Sequence, residues 1–103
     1  MQKSALVIVD VQNDFCAGGS LAVNDANSII PLINQLKQDP RFSLVVLTRD
    51  YHLASHCSFQ ANNPGTKLFE NITLHDTGKP QVMWPVHCVQ GTKGAEFHQD
   101  LQI

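Results

Sequence analysis

An α/β fold, a parallel sheet with flanking helices, is predicted by three features of the 103-residue sequence. Ser4 to Val11 and Phe42 to Thr48 are short, nearly unbroken apolar runs rich in β-branched residues. That composition marks strands covered on both faces. Between them, Ile29, Ile30, Ile33 and Leu36 recur at helical spacing, which gives one apolar stripe to lay against a sheet. Strand, helix and strand in this order form a βαβ unit, with parallel strands and a right-handed crossover.

Taken along the chain, the first apolar run is interrupted by Asp10, and Asn13-Asp14 and Gly18-Gly19 mark a loop after it. The helix is expected from about Ala26 to Gln38, capped by Asp25 or Asn27, with Pro31 tolerated only near its first turn. Asp39-Pro40 ends it, because the residue before a proline is driven out of helical geometry. From Tyr51 to Val82 hydrophobic periodicity lapses, and Asn62-Asn63-Pro64-Gly65 and Thr77-Gly78-Lys79-Pro80 are turn signals. Irregular stretches of this length carry function or are poorly ordered. Gly94 to His98 is expected to begin a short helix. Two parallel strands do not make a stable sheet by themselves. The rest of the sheet is therefore expected from further chain, with a second subunit as the alternative.

Composition narrows the function classes. Hydrophobic content of 43% and charged content of 16% are those of a globular chain rather than a disordered one. Seven basic and nine acidic residues give a net charge of -2 with no basic block, which argues against nucleic-acid binding. The apolar runs are far shorter than a membrane span or a secretory leader, so the expected location is cytoplasmic. Cys16, Cys57 and Cys88 are odd in number and widely spaced. They suit neither a disulfide framework nor a cysteine zinc motif, and reduced thiols are expected.

The chemistry concentrates where strands end. Thr48-Arg49-Asp50-Tyr51-His52 follows the second apolar run, and side chains two apart in extended chain share a face. Asp50 and His52 so placed suit a divalent metal, and His87 in Trp84-Pro85-Val86-His87-Cys88 offers a third donor. A strand-end aspartate capping a loop beside an exposed histidine gives the same pattern. His56 is either a further ligand or a loop hydrogen-bonder; His75 and His98 read as surface residues. Asp10 sits where a carboxylate is costly to bury alone. It is either a residue bonded to loop amides or a general base. Phe15 and Trp84 are either core aromatics or flat walls of a ring-binding pocket. Ligands of open α/β sheets collect beyond the carboxyl ends of the strands, where both Asp10 and Asp50 fall.

The motifs carry a resemblance as well. Asp10-Val11-Gln12-Asn13-Asp14-Phe15-Cys16-Ala17-Gly18-Gly19-Ser20-Leu21-Ala22-Val23 closely resembles the opening of nicotinamidases, or pyrazinamidases, of the isochorismatase-like cysteine hydrolase family. Thr48-Arg49-Asp50-Tyr51-His52, Ser55-His56-Cys57-Ser58-Phe59, Asn63-Pro64-Gly65 and Trp84 to Thr92 resemble later blocks in the same order. The resemblance covers nearly the whole chain. It implies a parallel sheet with helices on both faces, and hydrolysis of nicotinamide to nicotinate and ammonia in NAD salvage through a thioester. Asp10 matches the catalytic aspartate, which takes the cysteine proton and passes it to the leaving ammonia. Asp50, His52 and His87 match ligands of a divalent metal (zinc, iron or manganese), which orients the pyridine ring directly or through water. His56 matches a position that ligates metal in some members only, and Phe15 and Trp84 match residues packed against the ring. The implied partner is nicotinamide or a related pyridine carboxamide, with no nucleic acid or membrane.

The same resemblance places the lysine of the family's triad just past Ile103 and the nucleophilic cysteine further on. Cys88 matches a position that is not the nucleophile, Cys16 and Cys57 have no better claim, and Lys93 falls in the loop after the ligand motif. Residues 1–103 are thus expected to be the N-terminal part of a single isochorismatase-like hydrolase domain, truncated after that portion. A cysteine mechanism without its thiolate does not reach the acyl-enzyme, so the 103-residue chain is expected to show little or no amidase activity. The alternatives are a non-catalytic remnant that binds metal at most, and a binding module whose sheet a partner completes.

Overall fold

The computed structural model of the protein describes residues 3–103. Strands β1 (Ser4–Val9) and β2 (Phe42–Thr48) pair in parallel, from Ala5 opposite Leu44 to Val9 opposite Thr48, with one irregularity between Ser4 and Ala5. The twofold period of a strand sorts their side chains. Leu6, Ile8, Val45 and Leu47 point to one face, where Val11, Cys16, Phe97 and Leu101 join Ile30 and Ile33 of the helix in the core. On the other face Val7, Val9, Leu44 and Val46 remain 54%, 65%, 57% and 36% exposed. Strands covered on both faces are therefore not what residues 3–103 form: one face is packed, and no described residue covers the other.

The connection between the strands differs from expectation at its ends. Ala26–Ile29 is a 3-10 turn, and the α-helix α1 (Ile30–Leu36) begins after it with Pro31 in its first turn, where a missing N–H leaves no bond unmade. Neither expected cap acts. Asp25 has left-handed backbone (φ 60°) and makes no side-chain cap bond; its carbonyl accepts the Ser28 N–H and hydroxyl. Asn27 turns away, its Oδ1 accepting the Ala17 N–H at 2.8 Å. The α-helix stops at Leu36, and 3-10-type bonds from Gln38 and Asp39 to Gln35 and Leu36 tighten the chain ahead of Pro40.

The stretch without periodicity is ordered by short pieces. Asn71–Thr73 (β3) and Pro80–Val82 (β4) form an antiparallel hairpin across the Thr77-Gly78-Lys79 turn, each strand too short to show a period. Single bridges join Phe59 to Trp84 and His52 to Val89 in parallel, and Gln12 to Phe97 antiparallel. The helix expected at Gly94 to His98 is only a 3-10 turn, Lys93–Ala95. Glu96 is already extended, and the backbone at Phe97 is committed to the bridge with Gln12. Among the described residues no helix is long and apolar enough to cross a membrane.

Candidate active site

The end of β2 separates its side chains as alternation requires. Arg49 and Tyr51 lie to one side, with the guanidinium carbon 4.3 Å from the Tyr51 ring centre. Asp50 and His52 lie on the other. The His52–Val89 bridge, made by the bonds from the His52 N–H to the Cys88 carbonyl and from the Gln90 N–H to the His52 carbonyl (2.8 Å each), brings His87 beside them. Donor atoms of Asp50, His52 and His87 lie within 4.8 Å of one another. His52 Nε2 and His87 Nε2 each stand 3.6 Å from a different Asp50 oxygen. That is too long for hydrogen bonds. It approaches the roughly 3.4 Å between donors that share a tetrahedral metal with bonds near 2.1 Å. The Nδ1 atoms point outward, that of His52 to the His87 carbonyl (3.2 Å) and that of His87 to the Pro85 carbonyl (2.6 Å). Outer hydrogen bonds of this kind orient ligating imidazoles. Phe59, fully buried, lies edge-on to both rings at 5.1 and 5.3 Å. The donor set and its surroundings fit a divalent ion.

Two residues of the loop after β1 fix this cluster from behind. Gln12, fully buried, accepts the Asp50 N–H at Oε1 and donates from Nε2 to the carbonyls of Asp50 and Ala95, each at 2.8 Å. Asp14 Oδ2 accepts the Cys88 N–H at 2.8 Å. Cys88 has left-handed backbone (φ 49°), which a non-glycine residue adopts only when its surroundings hold it there. The Asp14 carboxylate lies so close over Gly94 that a Cβ there would collide with it. Neither Gln12 nor Asp14 stands out by motif chemistry. The available signal was Gln12 as a polar residue continuing an apolar run, the same signal that marked Asp10.

Asp10 sits in the turn that leaves β1, with left-handed backbone (φ 56°). Its N–H is shared between the Thr48 carbonyl (3.1 Å) and Thr48 Oγ1 (3.2 Å), and its Oδ1 accepts the Thr48 hydroxyl at 2.7 Å. Among the described residues no loop amide bonds to this carboxylate; the hydroxyl of β2 orients it. Asp10 lines a cavity of about 390 Å³ with Phe15, Cys16, Val23 and Ile29. A second cavity, of about 410 Å³, is lined by Asp50, His52, His56, His87, Phe15 and Trp84 among others. Phe15 is common to both, so it stands between the carboxylate and the histidine cluster, with its ring 5.6 Å from that of His87. Trp84 meets Phe69 edge-on at 6.1 Å. All six candidate residues therefore gather around two adjoining cavities.

The remaining candidates separate by environment. The three cysteines are free thiols. Cys88 is fully buried, and its thiol is pushed up to about 12 by burial first and then by the charges of Asp14, Asp50 and Asp10. Burial also raises the Cys16 thiol, whereas Cys57 is exposed. His75 is exposed, as expected. His98 is only partly at the surface: its side chain is 12% exposed, and Nδ1 accepts the Asp100 N–H at 3.1 Å. The bridge at Phe97 carries it inward toward Asn27, 3.4 Å from Nε2.

Parallel strands with a carboxylate–imidazole cluster beyond their carboxyl ends define an α/β domain of the ligand-at-strand-end class. The profile of the Isochorismatase domain matches residues 4–103, and the chain belongs to that family. It is 50% identical to a nicotinamidase of Acinetobacter baylyi over 99 residues, which are 96% of this chain and 44% of the relative. It superposes on an Acinetobacter baumanii nicotinamidase pyrazinamidase with a TM-score of 0.89 and 59% identity, covering 100% of this chain and 48% of the other. A Pyrococcus horikoshii pyrazinamidase in complex with zinc gives 0.71 and 37%, covering 98% and 48%. The chain thus spans a little under half the length of the relatives it matches, and it resembles their N-terminal half.

Proposed function

We propose that residues 1–103 are the N-terminal part of one hydrolase domain and carry the base, the metal ligands and the ring pocket of a nicotinamide amidohydrolase. The nucleophile and the triad lysine belong to sequence outside these residues. The observation that carries this reading is Phe15, which lines the cavity of Asp10 on one side and that of Asp50, His52 and His87 on the other. A flat pyridine ring laid against Phe15 and Trp84 has its two polar ends toward two different sets of groups. Asp10, held by the Thr48 hydroxyl, would accept a proton from a thiol entering its cavity and return it to departing ammonia. Asp50, His52 and His87 would hold a divalent ion, zinc in the Pyrococcus relative. When bound, that ion supplies a Lewis-acid anchor that orients the ring or a water beside it. Phe59 and the Pro85 and His87 carbonyls, which hold the two imidazoles, would keep them turned toward it. The substrate class is a pyridine carboxamide, the product a place in NAD salvage, and the location cytoplasmic.

A fusion tests this reading. Joining the part of the Acinetobacter baylyi nicotinamidase that follows its matched segment onto Ile103 is expected to give ammonia release from nicotinamide. Asp10→Asn and His52→Ala each abolish that release. A fusion that folds and binds metal but leaves nicotinamide intact contradicts the reading.

A further inference from the structure

Asp10 follows directly on β1, Thr48 is the last residue of β2, and the two strands end with Val9 opposite Thr48. The Thr48 hydroxyl has one hydrogen, and a carboxylate oxygen only accepts, so that hydrogen goes to Asp10 Oδ1 at 2.7 Å. The hydroxyl oxygen keeps its lone pairs for the Asp10 N–H at 3.2 Å, a hydrogen it shares with the Thr48 carbonyl at 3.1 Å. One residue thus holds Asp10 by main chain and side chain together. The left-handed backbone of Asp10 (φ 56°) is one that a non-glycine residue keeps only when its surroundings impose it. Threonine suits the task, because its branched Cβ restricts the rotamer and so the place of the hydroxyl. The two carboxylate oxygens are then not equivalent. Oδ1 is engaged by the hydroxyl, whereas Oδ2 has no donor among the described residues, in a side chain that lines the cavity of about 390 Å³.

We propose that Oδ2 is the oxygen of Asp10 that exchanges the proton, and that Thr48 is a positioning residue whose grip on Oδ1 keeps Oδ2 turned into the cavity. The proposal rests on the reading of Asp10 as the general base. The S–H bond of an entering thiol breaks, its electron pair stays on sulfur, and an Oδ2–H bond forms. The same hydrogen later passes from Oδ2 to the amide nitrogen as the C–N bond gives way to a C–S bond, which frees ammonia and restores the carboxylate. Thr48 keeps its own hydrogen throughout and touches neither thiol nor substrate. It also stands two residues before Asp50 in the same extended chain, so the end of one strand places both the base and the first of the ligands.

Two substitutions separate the hydroxyl from the shape of the side chain. Thr48→Val keeps the branch and removes the hydroxyl; Thr48→Ser keeps the hydroxyl and removes the methyl. In the fusion described above, Thr48→Val is expected to lower kcat for nicotinamide about a hundredfold with KM within about threefold, and Thr48→Ser to hold kcat within about fivefold. The opposite order, which packing alone would give, overturns the proposal, and so do equal losses in both variants or a kcat that neither changes. NMR of the 103-residue chain reads the hydroxyl without turnover: its proton is expected to exchange slowly with water and to show a cross-peak to the Asp10 carboxyl carbon. A Thr48 hydroxyl that exchanges as fast as that of an exposed threonine overturns the proposal whatever the fusion does. An unsubstituted fusion that releases no ammonia contradicts the amidohydrolase reading instead, and the NMR result then decides for Thr48.

Discussion

Gln12 grips Asp50 by both of its backbone polar groups, Oε1 accepting the Asp50 N–H and Nε2 donating to the Asp50 carbonyl, each at 2.8 Å. The amide thereby imitates a neighbouring strand at the point where β2 has ended. It fixes the chain position from which the Asp50 carboxylate reaches the two imidazoles. A bond from the same Nε2 to the Ala95 carbonyl ties this to the segment after the His87 loop.

Gln12→Ala removes the partner of three backbone groups at once, two of them partly buried and one buried. At about 1–3 kcal/mol for each such group left without a bond, and with water entering to meet part of the demand, a loss of about 3 kcal/mol in stability is expected by urea unfolding. Zinc affinity, measured by chelator competition, is expected to fall about tenfold or more, the usual effect of losing an outer-shell partner.

Asp14 and Gly94 are coupled by contact. Gly94→Ala drives a methyl into the Asp14 carboxylate and is expected to cost about 1–3 kcal/mol, the range for overpacking. Asp14→Ala removes the acceptor of the Cys88 N–H, a charge-assisted bond of about 1.5–3 kcal/mol. In the double variant the methyl no longer meets a carboxylate, so the two losses are expected to be less than additive in a double-mutant cycle.

Thiol reactivity follows burial and charge. A thiol at about 12 is roughly one part in ten thousand thiolate at pH 8, and the thiolate is the reactive form. Iodoacetamide is therefore expected to label exposed Cys57 first, Cys16 more slowly and Cys88 only on unfolding, as read by mass spectrometry of digested time points. The sign is fixed by the direction of the shift: raising the pH favours labelling of Cys16, while buried Cys88 stays protected until the chain unfolds.

The uncovered face of β1 and β2 is a contiguous apolar surface of Val7, Val9, Leu44 and Val46. Faces of this kind associate. The 103-residue chain is expected to self-associate in sedimentation experiments, and Val9→Thr with Val46→Thr to shift it toward monomer.

Much of the site was legible because strand alternation and motif spacing are local. Asp50 and His52 share a side for the same reason that Arg49 and Tyr51 share the other, and Pro31 falls in the first turn of α1. The helix caps are not legible because Asn27 bonds to Ala17 and Asp25 takes left-handed backbone, both consequences of how the preceding loop folds back. The Gln12–Asp50 and Asp14–Cys88 bonds join residues 38 and 74 positions apart, a separation at which propensity and period carry no information. The exposed sheet face has a similar origin. The apolar runs are composed for cover on both sides, whereas residues 3–103 supply cover on one.

Ammonia release from nicotinamide by the purified, zinc-loaded 103-residue chain, beside its Asp10→Ala variant, tests the division of the site most directly. The expected result is a chain that binds zinc and releases no ammonia, in either form. Release that disappears in Asp10→Ala would contradict it, because Cys16, Cys57, Cys88 or a zinc-bound water would then be serving as the nucleophile within these residues.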